Sequence, residues 1–134
     1  MTRFFLLPVA ALVAAAPAWA QDVANVDNET LAALMAKGVP VVDIRTPPEW
    51  KQTGVLAGSH RIMAFDENGR LAPDFVQRLS QVAGPDDEVA LICRTGNRTR
   101  ALSQALARQL GYRKLYNVEK GIKAWMAEGR PVEK

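Results

Sequence analysis

The chain has 134 residues, is 49% apolar and 23% charged, and carries a net charge of +3. That length suits one domain around one core, and so weak a charge, without a basic run or aromatic–basic interleaving, excludes a nucleic-acid-binding surface. A single cysteine excludes an internal disulfide, and one cysteine with one histidine leaves no set of metal ligands; no cofactor is expected.

In chain order, residues 1–20 read as an export leader. Arg3 supplies a positive start, 4–16 is apolar, and Ala18-Trp19-Ala20 fits the small-x-small pattern for cleavage before Gln21. The apolar run is shorter than the roughly 20 residues a membrane-spanning helix needs. A periplasmic domain of residues 21–134, with no membrane attachment after cleavage, is therefore expected. A short strand is predicted at 23–26. Asp27 or Asn28 then caps a helix through Lys37, with Leu31, Leu34 and Met35 on one face and Gly38 as its stop. Residues 39–44 read as a buried strand that ends at Asp43 and Arg45. Thr46-Pro47-Pro48 breaks the chain, and 48–50 can form one helical turn. A loop over 54–59 leads to a strand at 60–64 and a turn at 66–69.

Pro73 opens a second full helix, with Phe75, Val76 and Leu79 inward. After a turn at 84–87, a strand over 88–92 delivers Cys93. The helix predicted at 99–110 buries a stripe of Ala101, Leu102, Ala105, Leu106 and Leu110, and Gly111 caps it. A last strand at 114–118 and a helix at 121–128 complete the pattern. Strands alternating with helices imply an α/β domain with a mostly parallel sheet, in which ligands bind beyond the carboxyl ends of the strands. Asp43 and Cys93 both lie at such ends.

The chemistry concentrates in Cys93-Arg94-Thr95-Gly96-Asn97-Arg98. A thiol at a strand-to-helix turn meets free backbone N–H groups and the positive end of the helix dipole, and both favour an anion. The thiolate is the nucleophilic form of cysteine. Arg94 and Arg98 add full positive charge. Gly96 supplies an unusual backbone angle or a close approach. Thr95 and Thr99 offer hydroxyls, and Thr99 serves either the sulfur or a local backbone partner. Arg98 suits two tasks, holding an anionic donor or pairing with a carboxylate. Asp43 and Arg45 are read as supporting residues, and His60 as structural or solvent-facing. Trp50 and Trp125 are expected in the core or at its border.

Three segments in order resemble the single-domain rhodaneses. Val41-Val42-Asp43-Ile44-Arg45-Thr46-Pro47-Pro48-Glu49-Trp50 is similar to that family's first signature, 93–98 to its active loop, and 115–125 to its closing signature, with Pro131-Val132 like its usual ending. The resemblance implies a five-stranded parallel sheet with helices on both faces. It also implies a sulfurtransferase in which Cys93 takes a sulfane sulfur from thiosulfate, or a related persulfide or polysulfide, and hands it to cyanide or a thiol. Residues 94–99 would bind the donor. Related domains that hydrolyse phosphate esters carry one more residue in the loop. Two readings stand beside this one: a carrier that passes sulfur only to a protein acceptor, and a phosphatase or arsenate reductase. Two departures from the family pattern fall outside the loop. The usual His-Ile-Pro-Gly-Ala stretch is replaced across 54–62, and Lys120 stands where the closing signature commonly has the first of two glycines.

Overall fold

The computed structural model describes residues 22–134. The leader expected at 1–20 lies outside the described residues. Five strands and five helices alternate: β1 Val23–Val26, α1 Asn28–Ala36, β2 Val41–Asp43, α2 Pro47–Thr53, β3 His60–Arg61, α3 Phe75–Val82, β4 Val89–Ile92, α4 Asn97–Leu110, β5 Leu115–Val118 and α5 Gly121–Ala127. All strand pairs are parallel, in the order β1-β5-β4-β2-β3. This is the α/β architecture the alternating pattern predicts.

The two-residue period of the strands sends alternate side chains to opposite faces. Val89, Leu91 and Leu115 join Phe75, Leu79, Leu102 and Leu106 under α3 and α4. Ala90, Ile92, Tyr116 and Val118 join Leu31, Leu34, Ile122 and Trp125 under α1 and α5. With both faces covered, β2, β4 and β5 carry no exposed residue. β3 is an edge of two paired residues, shorter than the strand expected at 60–64, and His60 is exposed there.

The connections place the site. From β2 the chain runs outward to β3, whereas from β4 it runs the opposite way to β5. The carboxyl ends of β2 and β4 are neighbours from which the chain departs in opposite directions, and the crevice between them is where open α/β sheets bind ligands. Asp43 and Cys93 stand at these two ends.

Two helices depart clearly from expectation. α2 is a seven-residue helix rather than one turn, because Thr46 caps it: its backbone N–H and hydroxyl both donate to Glu49 Oε1, at 3.3 and 3.1 Å. α4 begins at Asn97, two residues before the predicted start, so Asn97 and Arg98 belong to its first turn. Its buried stripe is also rotated. Thr99, Leu102, Ser103 and Leu106 face inward, while Ala101 is exposed and Leu110 is 42% exposed. The short α5 packs Trp125 at the core edge, where its indole donates to the Pro131 carbonyl.

Candidate active site

β4 ends at Ile92, and the next residue, Cys93, is 1% exposed. Gly96 turns the chain with a φ of +94° and caps α4. That turn carries the Gly96 backbone N–H back to Cys93 Sγ at 3.1 Å. A side chain here is excluded twice. L-residues rarely adopt this φ, and a Cβ would sit 2.0 Å from the carbonyl oxygen of Glu119. The Thr99 hydroxyl lies 3.5 Å from the sulfur on the first inward position of α4. The sulfur therefore sits beneath the start of a 14-residue helix with a backbone N–H aimed at it.

The loop is clasped from behind by the turn between β5 and α5. Ile122 and Lys123 donate backbone N–H groups to the carbonyls of Cys93 and Arg94, at 2.9 and 3.1 Å. Gly121 makes this approach possible, since a Cβ there would lie 2.2 Å from the Arg94 carbonyl oxygen. Lys120 is tolerated in place of a glycine because its φ of −107° is open to any residue. Gly121 belongs to the site, beyond the helix start that the sequence predicts for it; its place in the closing signature is the signal for that role.

Asp43 and Arg45 meet in a buried pair at the end of β2. Arg45 Nε and Nη2 donate to the Asp43 carboxylate at 2.9 Å each. Nη1 donates to Thr53 Oγ1 and Nη2 also to the Gly54 carbonyl, both at 2.9 Å. Asp43 Oδ1 further accepts from the Arg45 backbone and from the Trp50 indole, at 3.1 Å each. All three guanidinium nitrogens donate to protein, so the pair fastens α2 to the sheet and braces the crevice wall.

Arg98 projects from the first turn of α4 and makes a two-pronged bond to Glu49 of α2, Nη1 to Oε1 at 2.8 Å and Nη2 to Oε2 at 2.7 Å. The Arg98 hydrogen bond holds the Glu49 carboxyl down at about 2, against the opposing effect of burial. Glu49 in turn raises Arg98, with the nearby Cys93 contributing less. Glu49 was missed as a site residue. It lies far from the loop in sequence, and only its place in the Thr-Pro-Pro-Glu-Trp stretch marked it.

Arg94, Thr95 and Asn97 are exposed on the rim. Arg94 lines a cavity of about 370 Å³ with Arg45, Glu49, Thr53, Lys123 and Met126. Arg98 lines another of about 390 Å³ with Thr46, Phe65, Asp66 and Glu67. The Arg98–Glu49 pair thus divides two openings beside the loop. A further cavity, about 490 Å³ between β1 and α4, is lined by Asn25, Arg100, Gln104 and Arg108, with no residue of the 93–98 loop in its lining.

The Rhodanese-like domain family matches residues 27–128. The chain belongs to the rhodanese family. It is 27% identical over 118 residues to Thiosulfate sulfurtransferase 18 of Arabidopsis thaliana, covering 84% of this chain and 85% of that protein. It is 32% identical over 110 residues to a Sulfurtransferase of Allochromatium vinosum, covering 81% of this chain and 92% of that one. Among solved structures it is similar to a rhodanese-related protein from Thermoplasma volcanium, with a TM-score of 0.61 and 28% identity over 82% of this chain and 97% of that one. The loop, the strand-end pair and the clasp described above are how this rhodanese builds its crevice.

Proposed function

We infer that the protein transfers a sulfane sulfur from thiosulfate, or a related persulfide or polysulfide, through a persulfide on Cys93 to cyanide or a thiol. The observation that carries this reading is the Gly96 N–H aimed at the sulfur at the helix N-terminus, within a loop of four residues between Cys93 and Arg98. A compact loop fits one terminal sulfur, whereas a phosphoryl group needs a wider ring of donors. The sulfurtransferases among its relatives support it.

In the first half-reaction the Cys93 thiolate attacks the outer sulfur of thiosulfate. The sulfur–sulfur bond of the donor breaks, and its electron pair leaves on sulfite as the Cys93 persulfide forms. In the second, cyanide attacks the outer sulfur, thiocyanate departs and the thiolate returns. This is double-displacement covalent catalysis, and neither an outside oxidant nor a general base enters the balance. N–H groups of the loop stabilise negative sulfur as an oxyanion hole stabilises oxygen. Arg98 orients the anionic donor by sharing its guanidinium between Glu49 and the incoming charge, and Arg94 attracts the donor from the rim. Export by the 1–20 leader would place this chemistry in the periplasm.

The test uses purified 21–134 protein with thiosulfate and cyanide. Thiocyanate is expected from the wild type and none from Cys93→Ser. Transfer that survives the substitution removes the mechanism. Thiosulfate loading without turnover moves the reading to a sulfur carrier, and hydrolysis of a chromogenic phosphate ester moves it to phosphate chemistry.

A further inference from the structure

The hydroxyl of Thr99 is wholly buried among three groups: Cys93 Sγ at 3.5 Å, the Gly96 carbonyl oxygen at 3.3 Å and Asn117 Oδ1 at 2.5 Å. A hydroxyl has one proton to donate. By distance the proton goes to Asn117. The sulfur then faces the lone pairs of the hydroxyl oxygen, which suits an S–H donor and opposes a thiolate. Asn117 is also wholly buried, and its Nδ2 donates to Asn25 Oδ1 at 2.9 Å. Asn25 and Asn117 are paired positions of β1 and β5, so their amides stand on the same face of the sheet. Asn25 is exposed at the mouth of the cavity between β1 and α4.

The two ends of an amide have nearly the same shape and opposite hydrogen-bonding character. A half-turn of the Asn117 amide brings Nδ2 to Thr99 Oγ1 and Oδ1 to Asn25. Asn25, free at the surface, turns with it and presents its own Nδ2. Thr99 then accepts from Asn117, and its proton is released to the two remaining acceptors, the Gly96 carbonyl oxygen and the sulfur, of which a charged thiolate is the stronger. Hydrogen bonds are exchanged one for one, no covalent bond breaks and no charge moves.

We propose that Asn117 and Asn25 are positioning residues, a neutral amide pair with two arrangements that sets the direction of the Thr99 hydroxyl toward Cys93. One arrangement matches the thiol and the other the thiolate. The inference rests on the reading that Cys93 reacts as an anion.

The exposed end of the chain allows each arrangement to be locked without disturbing the core. Asn25→Asp accepts only, and holds Asn117 Nδ2 away from Thr99. Asn25→Lys donates only, and holds Asn117 Oδ1 toward the surface. At neutral pH, alkylation of Cys93 by iodoacetamide should be at least fivefold slower in N25D than in N25K. With saturating thiosulfate, kcat should follow the same order while KM stays level. Each variant also adds charge beside Arg100, Arg108 and Asp22 of the cavity, so both are repeated in a Thr99→Val background. There the contrast should fall within twofold, because the hydroxyl that carries it is gone. Equal alkylation of N25D and N25K, or an undiminished contrast with T99V, overturns the proposal. Persulfide formation on the wild type is scored separately, so failure of the sulfur-transfer reading is distinguishable from failure of the amide pair.

Discussion

Two arginine–carboxylate pairs flank the crevice, one at the end of β2 and one between α2 and α4, and they are built differently. Asp43–Arg45 is 0% and 1% exposed, with all three guanidinium nitrogens bonded to Asp43, to α2 or to its Gly54 cap. Glu49–Arg98 is 24% and 33% exposed and joins two helices across the opening. A buried, multiply hydrogen-bonded pair cannot exchange a partner without stranding a charge. A half-exposed pair trades a carboxylate for another anion at little cost, because water screens both states. The first is scaffold. We propose that the second is the one whose arginine is available to a substrate.

The comparison breaks first at the buried pair. Arg45→Ala leaves Asp43 charged and unpaired, and urea unfolding should show a loss of about 3–5 kcal/mol. A loss no larger than that of Arg98→Ala would erase the distinction between the pairs. Next comes Arg98→Lys, which keeps the charge and loses the planar fork. Stability should barely change, while kcat/KM for thiosulfate should fall about tenfold, equal to about 1.4 kcal/mol of transition-state binding. An unchanged kcat/KM would make the Glu49–Arg98 pair structural as well.

The smallest effect is one of pH. Because Arg98 holds folded Glu49 at about 2, below its ordinary value of 4.5, the pair stabilises the fold fully above pH 4.5 and loses that contribution as pH falls through about 2. Solvent screening limits it to about 1 kcal/mol. Glu49→Gln should therefore narrow the stability difference between neutral and acid pH by that amount, read by denaturant unfolding at pH 7, 4 and 2.5.

The parts legible in the sequence are those carried by contiguous residues. β4, Cys93 and the glycine turn follow one another, and the alternating pattern suffices for the parallel sheet and its two covered faces. The loop's partners come from elsewhere in the chain. Glu49 reaches Arg98 from α2, Gly121 clasps the loop from α5, and Asn117 holds Thr99 from β5. No local period announces such contacts. The stripe on α4 was misplaced for the same reason. Hydrophobicity alone favours Ala101 and Leu110, whereas Thr99 faces inward to Cys93 and Asn117, and Ser103, one turn on, follows it into the core.

Whether Cys93 carries sulfur is best decided on the intact protein. Purified 21–134 chain incubated with thiosulfate, freed of excess donor and weighed by mass spectrometry should gain about 32 Da, one sulfur atom, on the peptide containing Cys93, and cyanide should remove it. An unmodified Cys93 peptide under those conditions, or added sulfur that cyanide leaves in place, would contradict the account.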